Sequence, residues 1–375
     1  MNNDNLVSLA VNRVKIIIKT SIIGIITNIF LATFKAVIGF FSNSIAMILD
    51  AVNNLSDAMS SLITIIGAIF GAKKPDKYHP FGYGRVEYIT SMIVASIVFY
   101  AGIASLIESV RKIFYPETAD YGFDDIFIMV VAIIVKLILG RYVKEQGEKV
   151  NSGALIASGS EASFDAVLSA SVLASTVIFL IWNISLEAYV GVLISIFIIK
   201  TGVEIMLETL NDIIGRRGDP NMSKKIKSLL NEEPEVKGTY DLILFDYGPT
   251  KYYASVHIEI PDVMTVDEVD LLIRRLQLKV FRNTGVVLSG VSVYSYDTKN
   301  KDSVIIRDKI QEVVLSHEWA LQMHGFYLDN KTILFDVVMS FDVDKKIALK
   351  TLIKEVQALY PEYNFIIVPD ADTSD

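Results

Sequence analysis

Six apolar stretches, each long enough to cross a bilayer, constrain this chain more than any other feature of it. They fall at roughly 15–41, 45–70, 88–114, 124–143, 153–182 and 186–210. A helix rising about 1.5 Å per residue needs about 20 residues to cross a hydrocarbon core about 30 Å thick, so the pattern predicts six transmembrane helices. An even number returns the chain to the side it started from. The loops after the second and fourth stretches contain Lys73, Lys74, Lys77 and Arg85, then Arg141, Lys144 and Lys149, and the sixth stretch runs into Arg216 and Arg217. The opposite loops, Ser42–Ser44, Pro116–Gly122 and Asn183–Ser185, contain no Lys or Arg. By the positive-inside rule both termini are expected in the cytoplasm, with Arg111 and Lys112 near an outer end as the one departure. The polar run Met1–Asn12 does not read as a cleaved signal peptide.

Hydrophobic residues make up 52% of the chain, but they crowd towards its N-terminal side. After Arg217 the sequence turns to short alternating segments with charges, the pattern of a chain solvated by water. Most of the formal net charge of −8 belongs there. Within this C-terminal region the same order of elements occurs twice. Lys224–Asn231 reads as a helix, Tyr240–Phe245 and Tyr252–Ile260 as strands, Val266–Phe281 as a helix and Val286–Tyr294 as a strand. The order then returns with Arg307–Leu315, Leu321–Leu328, Thr332–Phe341, Lys345–Leu359 and Tyr363–Val368. The expected fold is an all-α membrane domain followed by a cytoplasmic α+β region of two tandem ferredoxin-like αββαβ units. The expected boundaries are 1–12 for a cytoplasmic N-terminal segment, 13–215 for the transport domain, 216–298 for the first soluble unit and 299–375 for the second, with a linker at Asp297–Asp302.

The absence of cysteine excludes disulfides, thiolate zinc sites and iron–sulfur ligation, so any metal must be held by oxygen or by the four histidines. There is no P-loop, nucleophile elbow or metalloprotease motif, and the chain does not read as an enzyme.

The chemistry lies inside the apolar stretches. The second carries Asp50, Asn53, Asn54 and Asp57, whose spacing puts them on one stripe of a helix. The fifth carries Glu161 and Asp165, four residues apart, flanked by Ser158 and Ser169. A carboxylate at the centre of a membrane helix costs about 2.5–3.5 kcal/mol, so Asp57, Glu161 and Asp165 together cost roughly 8–10 kcal/mol. The two helices run in opposite directions, which places Asp57 and Asp165 each about 18 Å from its own starting boundary, both near the midplane. Unpaired carboxylates there need a cation or a proton. Lys136, Lys35 and Lys200 are the competing explanation, as internal salt-bridge partners, and Asn54 and the serines serve equally well as helix–helix glue.

The motifs Ser44-Ile-Ala-Met-Ile-Leu-Asp50-Ala-Val-Asn53-Asn54-Leu-Ser-Asp57 and His79-Pro-Phe-Gly-Tyr-Gly-Arg85-Val-Glu87, with the Glu161/Asp165 pair, resemble the cation diffusion facilitators, which export divalent metals against protons. Gly248-Pro249-Thr250 and Val256-His257-Ile258-Glu259 look like that family's cytoplasmic domain. The resemblance covers residues 10–298 and leaves the second αββαβ unit outside the usual pattern. It implies a transport site of two residues from the second helix and two from the fifth, here Asn53, Asp57, Glu161 and Asp165. Zinc-selective members typically carry a His in this set, and none of the four is His. An amide oxygen with three carboxylates suits Mn²⁺, and to a lesser degree Mg²⁺ or Fe²⁺, over Zn²⁺. Asn53 resembles the manganese-exporting branch, whereas Glu161 stands where an Asp is expected.

The resemblance further implies an integral protein of a bacterial-type cytoplasmic membrane that moves Mn²⁺ out against protons and forms a homodimer through its cytoplasmic domains. It implies no resident cofactor and no nucleic-acid partner. An accessory site in the loop after the second helix retains Asp76 and His79 but has Tyr83 where a His is needed. In the family's cytoplasmic metal cluster Tyr240 and Tyr294 replace histidines, so His257 reads as a structural histidine, and His317 and His324 are too isolated in sequence to claim as ligands. A Zn²⁺ or Fe²⁺ exporter, and a membrane-anchored metal sensor or scaffold that no longer transports, remain the alternative readings.

Overall fold

The computed structural model describes residues 3–41, 45–115, 123–182, 187–249 and 251–371. The chain divides into two compact units, a helical one chiefly from Asp4 to Arg216 and an α+β one chiefly from Arg217 to Asp375.

Long apolar runs without internal proline favour uninterrupted helices, because a bilayer leaves backbone groups no partner outside their own segment. The helical unit contains α1 (Asn3–Phe41), α2 (Ile45–Gly71), α3 (Val86–Phe114), α4 (Phe123–Lys149), α5 (Gly153–Trp182) and α6 (Glu187–Ile214). The first helix reaches back to Asn3, through the polar residues expected to precede it. No Gly or Pro stands before Gly24 to stop it. The loops Ser42–Ser44, Pro116–Gly122 and Asn183–Ser185, which lack Lys and Arg, lie outside the described residues. Among the described residues, Asn12–Val37 and Val86–Phe114 are long and apolar enough by length and composition to cross a membrane, and Asp57–Gly71 is a shorter apolar stretch.

Polarity in this unit is inverted relative to a water-soluble bundle. Thr20, Ser21, Asn28, Lys35, Asn54, Asp57, Ser60, Ser61 and Thr64 are buried, while Ile26, Phe30, Tyr100, Ile107 and Ile138 are exposed. That is the arrangement expected where the outer solvent is hydrocarbon and polar groups must find partners inside. At one end, Arg13 on α1 donates both terminal guanidinium nitrogens to Glu87 on α3, at 2.8 and 2.7 Å, and its Nε to the Val150 carbonyl at 2.7 Å. One bidentate arginine thus ties α1, α3 and the α4–α5 turn together.

Glycines set the α4–α5 approach, Gly140 and Gly159 among them. A Cβ added to Gly140 would lie 2.8 Å from the Ser163 backbone nitrogen, and one added to Gly159 would lie 2.5 Å from that of Lys144. Small residues facing each other let the two backbones meet closely. That contact brings the α4 side chain of Lys136 against the acids of α5.

The α+β unit contains α7 (Pro220–Asn231), β1 (Gly238–Asp246), β2 (Tyr252–Pro261), α8 (Val266–Thr284) and β3 (Val287–Tyr296), followed by α9 (Lys301–Leu315), β4 (Ala320–Asp329), β5 (Thr332–Met339), α10 (Lys345–Leu359) and β6 (Asn364–Ala371). Helix starts follow local chemistry. Asp219 caps α7 ahead of Pro220, and Thr265 and Glu268 form a reciprocal capping box on α8, which ends at Gly285 with φ 76°. The sheet orders are β1-β2-β3 and β4-β5-β6, each with one antiparallel and one parallel pairing. Each sheet covers a separate core. Leu242, Ile258, Leu272 and Leu276 lie in the first, and Ile310, Ile333, Phe335 and Leu352 in the second.

Candidate functional site

The polar stripe of α2 and the acid pair of α5 meet across α4. Lys136 donates from Nζ to Asp57 Oδ2 and to Asp165 Oδ2, both at 2.6 Å. Its side chain is 5% exposed, that of Asp57 7% and that of Asp165 23%. The internal salt bridge that competed with a metal in the sequence is therefore formed. Lys200 takes no part in it and pairs with Glu204 at 3.6 Å.

Glu161 is buried, and its Oε2 has no hydrogen-bond partner. A buried carboxylate oxygen without a donor carries a large desolvation cost, which a proton or a cation removes. Both polar atoms of the Asn54 side chain are likewise buried and without hydrogen bonds, so Asn54 makes no hydrogen-bonded contact between helices. Asp50 and Asn53 lie on α2, with side chains outside the described residues. Asp57, Lys136, Glu161 and Asp165 line a cavity of about 610 Å³, together with Lys35, Glu108 and Ser169.

Charge limits what this cavity accepts. Three ionised carboxylates and the Lys136 ammonium sum to −2, and Lys35 and Glu108 add one charge of each sign. One divalent cation, or two protons, brings the group to neutrality. Uncompensated charge in such a place is strongly disfavoured.

In the loop after α2, Asp76 is engaged by local donors. It accepts from the backbone nitrogens of Tyr78 and His79 at 3.0 and 2.9 Å, from the Tyr83 hydroxyl at 2.6 Å and from Lys73 Nζ at 3.3 Å. The Tyr83 hydroxyl first, then the His79 amide, holds the Asp76 carboxyl well below the usual carboxylate range. His79 Nδ1 lies 3.5 Å from Asp76, and the His79 ring lies 4.3 Å from that of Tyr83. The carboxylate here staples the loop.

In the α+β unit His257 is not alone. Its Nδ1 lies 2.8 Å from Asp241, and its ring stacks on Tyr294 at 4.7 Å. His324, set aside on sequence, packs against the same Asp241 from the second repeat at 3.0 Å. His317 pairs with Glu355 at 2.7 Å. The link between residues 241 and 324 had no local signal, because it requires the two repeats to pack together.

A bundle with apolar residues outside and carboxylates paired to an ammonium inside defines a membrane protein that manages charge across its helices. The model of the cation efflux transmembrane domain matches residues 21–214, more than half of the chain, and the chain belongs to that family, the cation diffusion facilitators. It is 28% identical over 250 residues to an uncharacterized transporter of Methanocaldococcus jannaschii, covering 67% of this chain and 88% of that one. It is 25% identical over 297 residues to the manganese efflux system protein MneP of Bacillus subtilis, covering 76% of this chain and 99% of that one. It is 24% identical over 253 residues to the magnetosome protein MamB of Magnetospira sp., covering 68% and 86%. The MneP alignment takes in nearly all of that protein and leaves about a quarter of this chain without a counterpart in it.

Proposed function

We propose that this chain exports a divalent metal, preferentially Mn²⁺, from the cytoplasm in exchange for protons, through a site made by Asn53, Asp57, Glu161 and Asp165. The observation that carries the reading is Glu161, a third carboxylate lining the same cavity, whose buried Oε2 has no hydrogen-bond partner and which the Lys136 hydrogen bonds to Asp57 and Asp165 leave out. The Lys136 ammonium, 2.6 Å from both aspartates, marks where a cation sits between the acids.

In this mechanism Lys136 is the resident counter-cation. An entering metal takes its place between the carboxylates, and the released ammonium turns towards the cavity. Glu161, whose Oε2 lacks a donor, gives up its proton as the metal binds, since a bound cation favours the ionised carboxylate. Reprotonation on the far side releases the metal and lets Lys136 return. With Lys136 charged throughout, exchange of the Glu161 proton for one divalent ion takes the group from −1 to neutral. The six helices span the bilayer with both termini in the cytoplasm, and rocking of the helices about the fixed site gives alternating access.

The preference for Mn²⁺ rests on an all-oxygen donor set and accords with similarity to proteins named for manganese efflux. The two ferredoxin-like units are proposed to hold a cytoplasmic homodimer. In proteoliposomes Asp57→Ala is expected to abolish Mn²⁺-driven proton movement, and full retention overturns the assignment. Mn²⁺ binding without flux in the wild type would instead mark the chain as a membrane-anchored sensor.

A further inference from the structure

The repeats of the α+β unit correspond residue by residue, and the correspondence can be read from their strand registers. In the first, Tyr240 pairs with His257 and Glu259 with Tyr294; in the second, His324 pairs with Asp336 and Val338 with Asp370. Each first strand shifts register immediately afterwards, after Tyr240 in β1 and after His324 in β4. The residues at the two shifts, Asp241 and Gly325, both have positive φ, 52° and 62°. Hence Tyr240, Asp241, His257 and Tyr294 of the first repeat stand where His324, Gly325, Asp336 and Asp370 stand in the second.

The two sets meet. Tyr294 donates to Asp336 at 2.6 Å across the repeats, and the Tyr240 and His324 rings stack at 4.8 Å. One ligand atom each from Asp241, His324 and Asp370 lies within 4.8 Å of the others. Atoms bound to one ion at about 2.1 Å lie at most about 4.2 Å apart, so modest side-chain rotation closes the set. His324 has a fully buried side chain, yet neither ring nitrogen makes a hydrogen bond. Its Nε2 is 3.0 Å from Asp241 Oδ1 and 3.9 Å from Asp336 Oδ2, close to both but outside donor geometry. Across Asp241, the Nδ1 of His257 is also buried without a hydrogen bond, 2.8 Å from Oδ2. A fully buried imidazole between two carboxylates, with a third carboxylate beside them, directs nitrogen and oxygen donors towards one point.

We propose that Asp241, His324 and Asp370 bind a divalent transition-metal cation between the two αββαβ repeats, with His257 and Asp336 at its margin. Imidazole nitrogen with carboxylate oxygen suits Mn²⁺, Fe²⁺, Co²⁺ or Zn²⁺. Two of the three ligands come from the second repeat, so the site requires both, and a bound ion cross-links them.

The site is separable from the transport reading, because the proposed transport ligands contain no histidine. Pulsed EPR of Mn²⁺ bound to the full-length protein in detergent is expected to show imidazole ¹⁴N coupling, which persists in Asp57→Ala and is lost in His324→Ala. Because His324 is buried, Asp370→Asn provides a milder second variant. It is expected to weaken the nitrogen-coupled Mn²⁺ population by at least about tenfold. Absence of ¹⁴N coupling in the wild type, its persistence in His324→Ala, or unchanged affinity in Asp370→Asn would each overturn the proposal.

Discussion

Replacing Lys136 by methionine separates a permanent salt bridge from a place held for a metal. The ammonium lies 2.6 Å from each of two carboxylates and is almost fully buried with Asp57. At an effective dielectric constant of about 20, each contact is worth about 6 kcal/mol before desolvation is counted. Removing one partner of a buried ion pair costs about 3–5 kcal/mol after that correction. Metal-free Lys136→Met should therefore unfold at markedly lower temperature than the wild type in detergent. If Mn²⁺ takes the place of the ammonium, the ion no longer has to displace anything in the variant. Saturating Mn²⁺ should then raise its midpoint by more than it raises that of the wild type. Equal Mn²⁺ shifts in both proteins, or none in the variant, would refute exchange between ammonium and metal.

Asn53→His introduces the imidazole that the proposed donor set lacks. It should move transport preference from Mn²⁺ towards Zn²⁺, and an unchanged metal profile removes Asn53 from the ligand set. Gly159→Val places a side chain where even a Cβ lies 2.5 Å from the Lys144 backbone nitrogen. By parting α4 from α5 it should draw Lys136 away from Asp165 and sharply lower Mn²⁺ flux, as measured in proteoliposomes.

The residues differ in how far their roles could be read without coordinates. The long helices follow from apolar length, and Asp57, Glu161 and Asp165 stand out because a charge inside an apolar run has few structural excuses. Lys136 was visible as a rival for these acids. That it grips Asp57 and Asp165 together depends on the close α4–α5 approach at Gly140 and Gly159, which is a tertiary fact. The doubled order of helices and strands was legible because alternation and helical period are local. The cluster around Asp241 was not, because its members lie as far apart as residues 241 and 370. The paired irregularities at Asp241 and Gly325 leave no sequence pattern of their own.

The most direct test of the transport claim records metal and proton signals together in proteoliposomes, offering Mn²⁺, Fe²⁺, Zn²⁺ and Cd²⁺ in turn to the wild type and to Asp57→Ala. The account predicts that Mn²⁺ moves fastest in the wild type, with protons moving in the opposite direction, and that both signals vanish in the variant. Metal flux without counter-moving protons, or equal flux in the two proteins, would contradict it.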